Sequence, residues 1–204
     1  MEGILKPHTA QRNKIHPHKF AMWLAMASIA MMFAGLTSAY IVRQAQGNWR
    51  LFKMPVTFTI STVVILVSSI TMYLGVKAFK KREMLKYRSL ISGTLILGVL
   101  FGVLQCVGFW QLYTQPQMTI LNGQQAVEIV RVSGNPSESF LYIITGLHLA
   151  HILGGIIALL FVFFTAYRKR VKVYNATGLE IVAGYWHFVD ALWIYLFIFF
   201  LVNQ

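Results

Sequence analysis

Five long apolar runs constrain this chain more than any other feature of its sequence. A helix needs about 20 apolar residues to cross the hydrocarbon core of a bilayer, and each run is long enough. The runs are Phe20–Val42, Val56–Lys77, Leu90–Leu112, Phe140–Tyr167 and Leu179–Val202. Charged residues make up 12% of the chain, whereas soluble domains carry about 25%. The sequence therefore predicts an all-α membrane protein, a bundle of five transmembrane helices over residues 20–204 that follows a polar tail over residues 1–19.

The positions of the basic residues predict how the helices cross the membrane. The net charge is +12, but the lysines and arginines are divided unequally between the two ends of the bundle. Fourteen belong to the N-terminal tail, the second connection or the fourth connection, and only Arg43, Arg50, Lys53 and Arg131 belong to the other side. Because basic loops stay in the cytoplasm, we expect a cytoplasmic N-terminus and an extracytoplasmic C-terminus. The charge is thus a topology signal and does not indicate nucleic-acid binding.

One connection, residues 113–139, is long enough to carry structure of its own. Turn signals stand at Asn122-Gly123 and at Gly134-Asn135-Pro136. Between them, residues 126–132 alternate between apolar and polar types as a short strand does. The pattern predicts a small hairpin in this loop.

Small and weakly polar residues inside the runs predict contacts between helices. Closely spaced glycines mark faces where helices approach each other in lipid. These glycines are Gly98 and Gly102 in the third run and Gly146, Gly154 and Gly155 in the fourth. We expect Gln105 to form an interhelical hydrogen bond, and Ser68, Ser69 and Thr71 to bond back to their own helix.

Three histidines and one aspartate lie deep inside the last two runs. His148 and His151 are three residues apart, as are His187 and Asp190, so each pair shares one face of its helix. A carboxylate near mid-membrane is unfavourable by several kcal/mol unless it is protonated or paired. Since a short connection joins the two runs, we expect antiparallel neighbours whose four polar side chains meet in one hydrogen-bonded cluster.

Three interpretations of this cluster remain open. It is a structural lock between two helices, packed round by Tyr185, Trp186 and Trp193; it handles protons or contacts lipid within a larger complex; or its histidines bind zinc or iron. Glu180 stands seven residues before His187 and is either a helix-end anchor, paired with the adjacent basic connection, or part of a lipid or proton role. No nucleophile, catalytic base or cofactor-binding pattern is evident, so no catalytic, cofactor or metal residue is assigned.

At these residues the chain resembles the cytochrome c oxidase subunit III family of the haem-copper terminal oxidases. The run Y-W-H-F-V-D at 185–190, followed by Trp193, is similar to the Y-W-H-F-[VI]-D-x-x-W of that family's final helix. Residues 145–155 are similar to its T-G-x-H-x-x-H-x-x-x-G, and shorter likenesses lie at 68–71 and 174–176. Five spans fit the short bacterial form. The resemblance covers about residues 20–204 and leaves the N-terminal tail outside.

The resemblance implies a redox-inactive subunit of a bacterial respiratory oxidase in the cytoplasmic membrane. Such an oxidase reduces oxygen to water with electrons from cytochrome c or quinol and couples this to proton transfer. Haem and copper would belong to partner subunits, subunit I would be the direct partner alongside subunit II, and structural phospholipid would be this chain's own ligand. The subunit would support stability and proton uptake of subunit I. The family-pattern positions are His148, His151, His187, Asp190 and Trp193, with Glu180 at a less widespread one.

The first run departs from the family pattern. The family usually places a buried glutamate six residues after a tryptophan, but here Ile29 stands six residues after Trp23. The role of that glutamate therefore cannot be assigned to this chain. Two alternatives to the oxidase interpretation are a standalone transporter or proton channel that uses the His/Asp cluster, and a metal-dependent membrane enzyme.

Overall fold

The described part of the chain forms five long helices and a small sheet. The computed structural model describes residues 17–47, 50–52, 54–114, 117–121, 124–128, 136–168 and 176–203. Within these ranges each helix is long and apolar enough to cross a membrane, which confirms the five predicted spans. The helices are α1 (Pro17–Ala45), α2 (Val56–Lys80), α3 (Met84–Thr114), α4 (Pro136–Tyr167) and α5 (Ala176–Val202).

A three-residue turn makes α2 and α3 an antiparallel hairpin. Arg82 has a φ of 62°, which places this non-glycine residue in the left-handed region that usually favours glycine at helix ends. The Glu83 N–H donates to the Ala78 carbonyl at 3.0 Å and the Arg82 N–H donates to the Phe79 carbonyl at 3.0 Å. These two bonds satisfy carbonyls that the end of α2 leaves free, so the chain reverses immediately into α3.

The connections between the spanning helices carry a three-stranded antiparallel sheet. Strand β2 (Gln117–Leu121) pairs with β1 (Arg50–Phe52) on one side and with β3 (Gln124–Glu128) on the other. The β2–β3 pair confirms the predicted hairpin, although β3 covers only residues 126–128 of the predicted strand and residues 129–132 lie outside the described ranges. Strand β1 was not predicted, because three residues are too few to show alternation.

Helix α5 lies at the centre of the bundle. It packs against α1, α2 and α4, while α3 packs against α2 and α4. Among the spanning segments α5 is the most buried and α1 the least. The side chains that the resemblance singles out on α5 therefore stand where most of the other helices meet.

Candidate functional site

The buried face of α5 carries a row of large and polar side chains. Trp186, Asp190, Trp193 and Phe197 are all buried, and their spacing of four, three and four residues keeps them on one side of the helix. The two tryptophans of this row contact α2, α3 and α4.

Trp186 fills a slot between two glycines of neighbouring helices. A Cβ added at Gly98 on α3 would lie 2.7 Å from the Trp186 ring, and one added at Gly155 on α4 would lie 3.0 Å from it. The indole N–H donates to the Ser68 hydroxyl on α2 at 3.2 Å. Gly98 and Gly155 of the predicted small-residue faces are thus the two walls of one indole site, whereas a Cβ at Gly146 would meet nothing within 4 Å.

Trp193 is the second buried indole of α5 and links three other helices. Its N–H donates to the Thr62 hydroxyl on α2 at 3.0 Å. Its ring stacks on the His148 ring of α4 at 5.2 Å between centroids and meets the edge of Phe101 on α3 at 5.6 Å. The tryptophan therefore combines one directed hydrogen bond with extensive aromatic packing.

His148 is enclosed by aromatic rings. Besides the stack on Trp193, its ring lies 6.3 Å from the Phe33 ring of α1 in an edge arrangement. The side chain is buried, and neither ring nitrogen has a hydrogen-bond partner among the described residues. The His148 imidazole therefore packs against its neighbours as an aromatic ring does.

His151 is bound to its own helix. Its Nδ1 lies 2.7 Å from the Leu147 carbonyl oxygen, and since a carbonyl only accepts, Nδ1 carries the hydrogen. The ring also meets the edge of Phe33 at 5.8 Å. The Tyr185 hydroxyl donates to the His151 carbonyl at 3.1 Å, so α5 is tied to α4 through the backbone of this residue.

His187 and Asp190 are three residues apart on α5, and His187 lies on the part of this helix that faces α2. The His187 Nδ1 is 2.7 Å from the Ser69 hydroxyl, and the His187 ring is half-buried. Asp190 is 2% exposed, and neither carboxyl oxygen has a hydrogen-bond partner within the described part of the chain.

The four polar residues thus do not form the single hydrogen-bonded cluster that the sequence led us to expect. His151 bonds the carbonyl of Leu147, His187 bonds Ser69, and His148 and Asp190 have no such bond within the described residues. The physical reason is that α5 contacts α2 as well as α4. The Ser69 hydroxyl of α2 therefore takes the hydrogen bond of His187 that was expected to join α4 and α5.

The sequence did not lead us to expect that hydroxyl residues of α2 bond other helices. Ser68 donates to the Thr94 carbonyl of α3 at 3.4 Å, and Ser69 bonds His187, so neither simply bonds back to its own helix. Thr71 does bond back, to the Ser68 carbonyl at 2.8 Å, but its hydroxyl also lies 2.9 Å from the Thr94 hydroxyl of α3. A signal was present, because hydroxyl residues recur at seven-residue spacing along α2 and so share a face. The pairs are Ser61 with Ser68 and Thr62 with Ser69.

Gln105 forms the interhelical bond that was predicted for it. Its side-chain N–H donates to the Ser61 hydroxyl of α2 at 2.9 Å, and both groups are buried.

In the part of the chain that the structure describes, no group of three or more His, Cys, Asp or Glu side chains is placed to hold a metal ion.

Glu180 bridges two lysines at one end of the bundle. Its carboxylate lies 2.6 Å from the Lys19 ammonium of α1 and 2.8 Å from the Lys80 ammonium of α2. The interpretation of Glu180 as a helix-end anchor paired it with the adjacent connection, but the described partners come from two other helices. Glu180 therefore ties α1 and α2 to α5.

Glu180→Gln will weaken this tie by a small amount. Because the Lys19 and Glu180 side chains are 39% and 28% exposed, the loss is expected to be roughly 1 kcal/mol or less, equivalent to a melting temperature lower by about 2–4 °C. Glu83→Gln is the matched control, since Glu83 pairs with Lys86 only three residues away and joins no other helix. Thermal melting of the purified complex will contradict the assignment if the two variants melt at the same temperature.

Comparison with known proteins identifies the family. The family model described as cytochrome c oxidase subunit III matches residues 8–203, a match that also includes part of the tail placed outside the resemblance. A probable cytochrome c oxidase subunit 3 of Nocardia farcinica is 32% identical over 181 residues, which cover 86% of this chain and 82% of that protein. A cytochrome c oxidase subunit 3 of Corynebacterium diphtheriae is 32% identical, with 82% and 79% covered. A probable quinol oxidase subunit 3 of Staphylococcus haemolyticus is 27% identical, with 94% and 89% covered. The chain therefore belongs to the cytochrome c oxidase subunit III family of the haem-copper oxidases.

Proposed function

We propose that this chain is a redox-inactive subunit that supports the stability and proton uptake of the catalytic subunit of its oxidase. The proposal rests on the hydrogen bonds that the family-pattern residues of α5 form with other helices. Trp186, His187 and Trp193 each bond a hydroxyl on α2, and Tyr185 bonds the backbone of α4. Side chains engaged in this way hold helices together, which suits a supporting role.

The partners of this subunit are oxidase subunit I by direct contact, subunit II and the other oxidase subunits, and membrane lipid. The outward faces of α2 and α3 are apolar, with Val63, Ile70, Ile96 and Val103 exposed. An apolar face of this extent suits the hydrocarbon of structural phospholipid and the helices of another membrane subunit. Haem and copper would be held by the partner subunits.

The bacterial cytoplasmic membrane is the proposed location, with the N-terminus and the Lys19–Glu180–Lys80 bridge on the cytoplasmic side. This orientation rests on the unequal distribution of basic residues.

The electron donor of the complex is either cytochrome c or quinol, because relatives are named as cytochrome c oxidase and as quinol oxidase subunits. The boundary between a tail at 1–19 and the membrane domain at 20–204 also stays a prediction.

Proton uptake in this member must be supported without the family's glutamate on the first helix. Ile29 stands at that position and packs, partly buried, against the apolar core. The described part of α1 contains no aspartate or glutamate. Any intramembrane carboxyl that takes part must therefore come from another helix.

Purification by a tag at the N-terminus tests the assignment to an oxidase complex. In mild detergent, we expect larger membrane subunits to co-purify and the reduced-minus-oxidised visible spectrum to show haem bands. Donor assays with cytochrome c and with quinol would then identify the substrate of the complex. A colourless preparation of the single chain, stable across several detergents, would contradict the proposal and favour a standalone transporter or channel.

A further inference from the structure

The face of α5 that carries Glu180 lies between α1 and α2. Lys19 of α1 and Lys80 of α2 both reach the Glu180 carboxylate. The two helices pack against α5 but have no comparable packing against each other in the described ranges. Ala191 and Ile198 follow Glu180 by eleven and eighteen residues, close to whole numbers of helical turns, and both are exposed. These positions therefore form the floor of a groove whose walls are α1 and α2.

His187 stands on the α2 side of this groove and has one described hydrogen bond. It is seven residues from Glu180 and four from Ala191, which keeps it on their face of α5, and its ring is half-buried. The Ser69 hydroxyl lies 2.7 Å from Nδ1 and has no other hydrogen-bond partner among the described residues, so it donates to Nδ1. The neutral ring then carries its hydrogen on Nε2, and this N–H has no partner in the described part of the chain.

The depth of His187 is greater than the depth at which a phospholipid offers hydrogen-bond acceptors. The residue is eleven positions after the first residue of α5, Ala176, which is about 16 Å at 1.5 Å per residue. Because α5 is about 40 Å long and the hydrocarbon core is about 30 Å thick, the imidazole lies about 11 Å inside the core. Acyl chains carry no acceptor there, whereas polar side chains of a neighbouring helix do form hydrogen bonds at such depths.

Building on the proposed place of this chain in an oxidase, we propose that the groove holds a transmembrane helix of another oxidase subunit, which accepts a hydrogen bond from the His187 Nε2–H. This partner helix carries a hydroxyl, amide or carboxyl oxygen at the depth of His187. The small side chain of Ala191 lets the backbones of the two helices approach closely.

The charges at one end of the groove add a second requirement. Beside Glu180, two ammonium groups face one carboxylate, about 10 Å along α5 from His187 at 1.5 Å per residue. An acidic residue near that end of the partner helix would complement the excess positive charge. The partner is therefore a helix with a polar acceptor and, about two turns away, an acidic group.

A photo-crosslinking residue at Ala191 tests the occupant of the groove in purified, haem-containing complex. Ala191 is exposed on the floor, so a small diazirine side chain at this position would react with whatever fills the groove. Mass spectrometry of the adducts should identify one membrane-spanning segment of another subunit. Adducts confined to lipid, to a second copy of this chain or to this chain itself would overturn the proposal.

Two replacements of His187 test the hydrogen bond, because each keeps one nitrogen position of the ring. Asn places an oxygen near the position of Nδ1, where it accepts from Ser69, whereas Gln extends an N–H to about the position of Nε2. With His187→Asn we expect this chain to dissociate from the haem-containing complex in detergent about three- to tenfold faster, the range for one interhelical hydrogen bond. With His187→Gln the rate should stay close to native.

The order of the two variants separates the proposal from a purely structural role. If His187 served only to bond Ser69, His187→Gln would dissociate faster than His187→Asn, and this order or equal rates would overturn the proposal. Haem bands in the same preparation report oxidase membership. Complex that contains haem but lacks the crosslink would contradict the groove proposal alone, whereas a preparation without haem would contradict the proposed function.

Discussion

Replacing Gly98 with alanine is expected to exclude most of the chain from assembled oxidase. The added methyl group would lie 2.7 Å from the Trp186 ring, well inside van der Waals contact. The ring cannot move away freely, because Gly155 bounds it on α4 and its N–H is bonded to Ser68. Overpacking at a site of this kind destabilises a protein by about 1–3 kcal/mol. The measurement is the ratio of tagged chain to haem in purified complex, with its temperature of dissociation.

Gly102→Ala is the control for this prediction because it lies one turn further along the same helix. A Cβ there would meet its nearest neighbour, Ile156, at 3.9 Å, an ordinary contact that should leave assembly unchanged. Combining Gly98→Ala with Trp186→Phe should restore part of the loss, since the smaller ring vacates the space. Equal assembly of the Gly98 and Gly102 variants would show that Trp186 does not fix the distance between α3 and α5.

The fold was predictable to the extent that hydrophobicity determines it. Each predicted span lies inside an observed helix, but the helices extend further, as α3 does in beginning at Met84 rather than Leu90. Hydropathy locates the part of a helix that lies in hydrocarbon, whereas the backbone hydrogen bonds continue into polar residues at the ends. The hairpin was visible from its turn residues. Strand β1 depends on pairing with β2, a contact distant in sequence.

The site was only partly predictable because sequence shows which residues are unusual but not which helix each of them faces. Depth and spacing drew attention to His187 and Asp190, which are three residues apart on α5. The sequence could not show that His187 contacts Ser69 of α2, since the order of helices around α5 is set by tertiary packing. Similarly, a helix-end anchor was one of two interpretations of Glu180, and that interpretation paired it with the adjacent connection, whereas the described lysines come from α1 and α2.

Trp193→Ala is expected to be the most damaging single substitution on α5. The residue is fully buried and its ring touches Phe58 and Phe101 as well as His148. Removing a buried tryptophan side chain destabilises a protein by about 3–5 kcal/mol, which is enough to prevent stable incorporation of this chain. Trp110→Ala is the control, because Trp110 is 64% exposed on α3 and its loss leaves no cavity within the bundle. Similar incorporation of both variants would contradict a central role for Trp193.

The hydrogen bond and the aromatic packing of Trp193 can be separated with Thr62. Thr62→Val removes the acceptor and leaves the indole N–H buried without a partner, which is unfavourable by about 1–3 kcal/mol. Trp193→Phe removes the donor while keeping a ring against His148, and adding Thr62→Val to it should then have little further effect. If the two substitutions instead lower the dissociation temperature additively, the bond contributes nothing specific and α5 is held to α2 by packing area alone. Strong non-additivity would mean that the directed bond to α2 sets the rotation of α5, and with it the direction in which Asp190 points.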